Sequence, residues 1–351
     1  LTAFAGAILN THDRFGVPAF TPVLLNLCLI GAAYWLAPLF EQPVMGLAWG
    51  VFIAGAAQLA FNLPFLHQLR LLPKPVPSLK DPGVRKVLRL MGPAVFGASA
   101  TQIGLLLNTL IASLLIEGSI SWLYYSDRLL EFPVGILGAA LATVVLPNLS
   151  RTYQTSSREE FSALIDWGVR WVVLIGLPAA IALFVLAVPL ISTLFQSQVF
   201  DARDVDMSSR SLMAYAFGLF PFLLVKVFAP GFYARQDTRT PVRIAVIAII
   251  VNVAISMLLF KPLGHVGLAL ATTAMAGVNA GLLFLEIRGA EIYMPSAGWR
   301  IMLFKILLAS AVMGGALFWF AGSPGIWVTA GGWWKTGMLS LLVLGGACVY
   351  F

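Results

Sequence analysis

Asp127, Arg128 and Glu131 stand together in SWLYYSDRLLEFPVGILGAALATVVLPNL, within a chain that is 60% hydrophobic and only 11% charged. An ionised side chain at the centre of a bilayer costs about 2.5–3.5 kcal/mol on insertion scales. It is retained where it meets water, a counter-charge or a charged passenger. Arg128 and Glu131 are three residues apart, and Asp127 and Glu131 four, so both pairs fall on neighbouring positions of one helix. The spacing suits a guanidinium that faces a central cavity, is oriented by Glu131 and contacts an anionic substrate. The same spacing also suits a self-neutralised structural cluster near the interface. Trp122, Tyr124 and Tyr125 precede the charges and are expected in an aromatic belt at the non-cytoplasmic surface. Arg128 then lies about 9 Å below Trp122. Pro133 and Gly135 weaken the helix just beyond, as in transporter helices beside a substrate path.

Other polar residues interrupt apolar runs singly. Lys226 breaks FPFLLVKVFAPGFYA about six residues, or ~9 Å, from a cytoplasmic end. That is within snorkelling reach, with a cavity role as the second reading. Gln102, Asn108, Asn252, Thr272 and Asn279 suit hydrogen bonds between helices. Soluble-type catalysis has no support: there is no Walker loop, and His12, His67 and His265 are far apart, without metal-ligand spacing. Cys28 and Cys348 both lie in apolar runs and form no disulfide framework. Without a nucleotide site, transport would draw on an ion gradient, a membrane potential or product removal.

The elements that carry these residues are membrane helices. A mean hydropathy of +0.90 and a charged share less than half that of soluble domains (roughly 25%) set the class. Apolar stretches of about 17–25 residues match a ~30 Å hydrocarbon layer, and barrel-type alternation is absent. The fold class is therefore an all-α polytopic membrane protein. Spans are expected near 21–39, 44–64, 92–116, 120–149, 171–195, 212–232, 242–260, 264–286, 301–321 and 334–351, after an opening half-span at 1–9. Fifteen Lys and Arg fall in alternate loops, against Arg203, Arg210, Lys261 and Lys335 on the other side. The first side is cytoplasmic by the positive-inside rule. This placement, rather than nucleic-acid binding, accounts for the net charge of +7. Apolar runs at both ends (LTAFAGAIL and GMLSLLVLGGACVYF) read as cuts within helices of a longer protein.

Segment 67–91 is Pro-rich, then basic and amphipathic, and reads as a cytoplasmic linker lying in the interface or solvated. An internal repeat relates 21–66 to 240–287. Thr21-Pro22-Val23 matches Thr240-Pro241-Val242, Gly46-Leu47-Ala48 matches Gly267-Leu268-Ala269, and Gln58 stands where Asn279 does. A duplicated bundle follows, with 1–66 the remainder of one lobe, 92–290 a six-helix second lobe and 291–351 an additional helix pair.

Over essentially its whole length the chain resembles the MurJ (MviN) lipid II flippases of the MOP exporter superfamily. The carrying motifs are WLYYSDRLLEFPVGILGAALATVVLPNLSR (122–151), VKVFAPGFYARQDTRTPVRIA (225–245) and GHVGLALATTAMAGVNAGLL (264–283), with LNTHDRFGVPAFTPVLLN (9–26) and GLAWGVFIAGAAQ (46–58). The resemblance implies two six-helix lobes around a V-shaped cavity, with two final helices lining a groove for a lipid tail. It implies a passenger, the undecaprenyl-pyrophosphate-linked disaccharide-pentapeptide, moved from the cytoplasmic to the periplasmic leaflet of the bacterial inner membrane. Membrane lipids and the cell-wall synthesis machinery are the other implied partners, and nucleic acid is not one. Arg128 matches the family's second-lobe cavity arginine, with Asp127 and Glu131 beside it. Some relatives bind sodium at positions matching Asn108, Asn252, Ser256 and Thr272. Asn108 and Ser256 stand where such a relative has acids, so no sodium site and no cofactor are expected. The rival readings are another exporter of the superfamily, moving drugs or a different lipid-linked glycan, an intramembrane enzyme on polyprenyl phosphates, and a membrane scaffold. An acidic cavity would favour a cationic-drug antiporter, and clustered Asp or His an enzyme.

Overall fold

A computed structural model describes residues 1–12, 14–71, 85, 102, 104–155 and 158–351. Asp13, most of the linker 67–91 and the start of the span at 92–116 lie outside the described residues. Among those described there is no strand, and six helices are long and apolar enough to cross a bilayer. The chain divides into two compact units, Leu1–Leu88 and Arg89–Phe351.

The first unit holds α1 (Thr2–Thr11), α2 (Gly16–Gly31), which continues helically to Leu39, and α3 (Pro43–Gln68). Gln58 Nε2 donates to the Thr21 carbonyl at 2.8 Å and ties α3 to the start of α2. Gly46 lets the two helices meet, since a Cβ there would stand 2.6 Å from the Ala37 backbone. Gly267, its partner in the sequence repeat, does the same in the second unit, where a Cβ would meet the Leu259 carbonyl oxygen at 2.5 Å. Both repeats therefore place a glycine where a helix crosses the end of the one before it.

The second unit contains α4 (Gly104–Ser113), α5 (Ser119–Thr155), α6 (Arg158–Trp171), α7 (Leu177–Val185), α8 (Ala187–Phe195), α9 (Ala202–Tyr233) and α10 (Arg239–Gly289). Then follow α11 (Trp299–Ala321), the short α12 (Pro324–Thr329) and α13 (Gly332–Tyr350). Burial is deepest along α9, where Leu219, Leu223 and Val227 are fully enclosed. Their neighbours in the core include Val145 and Leu149 of α5 and Ile244, Ala269 and Leu283 of α10.

Two helices begin well before the apolar runs that announce them. α9 starts at Ala202 rather than near 212, because Asp201 accepts from the Arg203 and Asp204 amides while Asp204 returns the bond in a capping box. The helix entering the span expected at 171–195 starts at Arg158, and its amphipathic first half buries Phe161, Ile165 and Val169. The pair expected at 242–260 and 264–286 is one helical run, broken where Gly264 adopts φ +57°. A Cβ would strain that backbone.

The segment between α10 and α11 is held to α6 by one buried carboxylate. Asp166, 5% exposed, accepts from Tyr293 Oη at 2.8 Å, Trp299 Nε1 at 2.7 Å, Ser296 Oγ at 2.5 Å and Arg170 Nε at 2.8 Å. Arg170 also stacks over the Trp299 ring at 5.3 Å and donates to the Ala297 carbonyl. Burial, then the bond to Asp166, pushes the Tyr293 phenol up from its ordinary range, so it stays a donor. The clamp fixes where α11 leaves the lobe. Asp166→Ala leaves these donors unpaired and is expected to lower stability by roughly 2–4 kcal/mol in detergent-solubilised protein. Thermal or denaturant unfolding would read it, and a change under about 1 kcal/mol contradicts the clamp.

Candidate functional site

Arg128 sits on α5 with its guanidinium in the open. Its side chain is 52% exposed, Nη1 meets Glu131 Oε2 at 2.5 Å, and the group lies 4.8 Å from the centre of the Tyr124 ring. An exposed ion pair of this kind contributes about 0–1 kcal/mol. The pair therefore orients the guanidinium without consuming it, and Nε and Nη2 bond to no carboxylate. Asp127 behaves differently from Glu131. It is half-buried and joins no ion pair or hydrogen bond among the described residues, although the i,i+4 spacing to Glu131 is met.

Asp127 and Arg128 line a cavity of about 300 Å³ with Tyr124 of the same helix, Asn108 of α4, Tyr215 of α9 and Thr272 of α10. Apart from Thr109, the remaining wall is apolar, from Leu105, Ala112, Ile120, Leu123 and Leu268. One cation thus faces a pocket whose other polar groups are a carboxylate, an amide and hydroxyls. Glu131 and Lys226 are outside this wall, on neighbouring surface.

Asn108 and Thr272 link the cavity wall to the other expected polar residues, Asn252 and Ser256. Asn108 Nδ2 and Asn252 Nδ2 each approach Thr272 Oγ1 at 3.4 Å, and Thr272 donates to the Leu268 carbonyl at 3.1 Å. Asn252 and Ser256 are buried. Asn108 Oδ1 and Ser256 Oγ are enclosed without a protein partner. The set holds no carboxylate, and both amides turn N–H groups toward the hydroxyl that a metal ion would need as a ligand. Among the described residues, no group of three or more His, Cys, Asp or Glu is placed to hold a metal.

Trp122 is the main departure from the sequence reading. It is 2% exposed, donates Nε1 to Asp204 at 2.7 Å and meets the His265 ring edge-on at 5.0 Å. It is a core residue that joins α5 to α9 and α10, not part of a lipid-facing belt. Tyr125 likewise packs on Phe195 and Phe200, which leaves Tyr124 as the exposed aromatic beside Arg128. Ser126 Oγ donates to the Ser208 carbonyl, and Ser211 Oγ pairs with His265 Nδ1, both at 2.7 Å. Sequence reasoning missed Tyr215, whose run MAYAFG carries no spacing signal.

The C-terminal helices bring a second kind of surface. Leu317, Leu342 and Gly346 border two apolar grooves of about 190 and 260 Å³, the first flanked by α7 and the second open along α11 and α13. Tyr350 Oη donates to the Leu174 carbonyl at 2.6 Å and holds α13 to the lobe.

A family model described as "Lipid II flippase MurJ" matches residues 1–331. The chain belongs to the lipid II flippase MurJ family. It is 46% identical over 331 residues to a probable lipid II flippase MurJ of Vibrio cholerae, covering 94% of this chain and 63% of that protein. A lipid II flippase MurJ of Burkholderia cenocepacia is 44% identical over 326 residues, covering 92% of this chain and 63% of its own length. The chain thus spans somewhat less than two thirds of these relatives. A solved lipid II flippase MurJ in an inward closed conformation shares the fold, with a TM-score of 0.79 at 21% identity over 99% of this chain and 69% of that one. Membership of the MurJ family makes this a multi-pass protein of the bacterial inner membrane and does not favour the drug and alternative-glycan exporters.

Proposed function

We propose that the full-length protein carries the lipid-linked peptidoglycan precursor, undecaprenyl-pyrophosphate-linked disaccharide-pentapeptide, from the cytoplasmic to the periplasmic leaflet by alternating access. The observation that carries this reading is Arg128, a half-exposed guanidinium of α5 that faces a cavity. A pyrophosphate is a multivalent anion that cannot enter hydrocarbon unaided, and the guanidinium fork matches phosphate oxygens two at a time. Because the Arg128–Glu131 pair is weak, an arriving pyrophosphate displaces the carboxylate at little cost. Glu131 recovers the guanidinium when the anion leaves, which keeps Arg128 paired while the site is empty. Tyr124 supports the guanidinium from its ring face. The prenyl tail stays in lipid along the apolar grooves beside α11 and α13. No bond is made or broken, so the work is transport rather than catalysis, and the acceptor of the product is the cell-wall synthesis machinery.

The polar set of Asn108, Asn252, Ser256 and Thr272 fits sodium poorly, because none of its four members carries a charge to offset the ion's lost hydration. We take it as a neutral packing cluster that takes no part in transport. Replacing sodium by potassium on both sides of the membrane should leave the flipping rate unchanged, and a several-fold loss contradicts this assignment. Arg128→Ala in the full-length protein should abolish headgroup translocation, by about a hundredfold if one charge-assisted bidentate contact is lost, with insertion and folding intact. Accessibility of the precursor from the periplasmic side measures it. Normal accessibility in that variant removes the proposed role.

A further inference from the structure

Lys226 of α9, a helix long and apolar enough to cross a bilayer, is an exposed cation that joins no ion pair among the described residues. Its stem lies against α5, where Cγ, Cδ and Cε come within 3.5, 3.7 and 3.7 Å of where a Cβ of Gly138 would be. The close approach of Cγ places Lys226 itself beside Gly138. Trp122 bonds to Asp204 and Ser126 to Ser208, both at a separation of 82 residues, so α5 and α9 run in the same direction. Helical side chains lean toward the N-terminus of their helix, which for α9 is the non-cytoplasmic end. That lean directs the stem toward the level of Arg128 rather than toward the cytoplasmic end of α9.

Gly138 also lies seven residues beyond Glu131, so the two share one stripe of α5. Gly135, between them on that stripe, is exposed and has nothing near its Cα face. Ten residues separate Arg128 from Gly138, about 15 Å along the helix. An unpaired ammonium at this depth is retained where it meets water or an anion.

We propose that Lys226 is a second anion-binding station, which receives the precursor's pyrophosphate from the cytoplasmic side before Arg128 takes it. The proposal rests on the flippase reading above and adds the entry route. Lysine suits an entry station because its ammonium is a flexible point charge, whereas arginine's fork fixes geometry.

The test uses the full-length flippase in proteoliposomes, with every native cysteine, Cys28 and Cys348 among them, replaced by Ala and Lys226→Cys introduced. Flipping should fall roughly tenfold on loss of one charge-assisted contact. An aminoethyl thiosulfonate reagent, supplied in the water on the cytoplasmic side, should restore the rate, and the sulfonatoethyl analogue should not. The precursor should protect the thiol from both reagents. A fully active cysteine variant, a thiol out of reach of either reagent, or equal rescue by both would overturn the proposal. If the cysteine variant does not insert, Lys226→Arg and Lys226→Gln decide: an active Arg with a slow Gln supports the station, and equal rates overturn it. Arg128→Ala in parallel separates the two ideas. Its loss of activity beside a neutral Lys226 defeats only the entry station, whereas full activity of Arg128→Ala defeats the flippase reading itself.

Discussion

A guanidinium cannot shed its charge, so wherever the chain places Arg128 it must also supply water or an anion. At membrane depth that requirement governs the surrounding architecture. The α5 helix turns Arg128 and Asp127 to a cavity rather than into the lobe, while Trp122 and Ser126 on other faces of the same helix bond inward to α9. The inward bonds fix the rotation of α5, and the rotation exposes the charge. A small twist of this helix would bury Arg128 in the lobe or send it into lipid, both at several kcal/mol.

Rigidity on one side and neutrality on the other support this placement. At the wall of the cavity, Asn108 and Thr272 join Asn252 in a hydrogen-bonded set without adding charge, so the field in the pocket is set by Arg128 and Asp127. Further toward the cytoplasm, Asp166 gathers donors from Tyr293, Ser296, Trp299 and Arg170 and fixes the departure of α11. The apolar grooves beside α11 and α13 are therefore held at a defined position against the lobe. A polar passenger with a long apolar tail needs such a division, with charge on one wall and a lipid-like surface on another.

Much of this was legible in the chain. Long apolar runs announce membrane helices because hydrocarbon forces every backbone group to bond within its own segment. The i,i+3 spacing of Arg128 and Glu131 predicts their pairing, and the glycines at 46 and 267 mark equivalent crossings. Helix starts were less legible, because Asp201 and the amphipathic run after Arg158 act through capping and one-sided burial rather than hydropathy. Trp122 was misread for a different reason. An aromatic near a span end fits either lipid or core, and its deciding partner, Asp204, is 82 residues away. Asp127 shows the same limit, since helical spacing brings two carboxylates near one arginine without saying which one it takes. Tyr215 and the stem of Lys226 lying over Gly138 depend on packing between helices, which spacing along one helix does not encode.

The most direct measurement is a phosphorus-to-nitrogen distance in the full-length flippase loaded with its lipid-linked precursor in bilayers. Solid-state dipolar recoupling between the precursor's ³¹P and ¹⁵N-labelled arginine guanidinium should give a contact of about 4–5 Å, typical of charge-assisted pairing. The signal should vanish in Arg128→Lys, which retains the charge and removes the guanidinium. A loaded, actively flipping protein with no such contact, or one whose contact survives that substitution, would contradict the account.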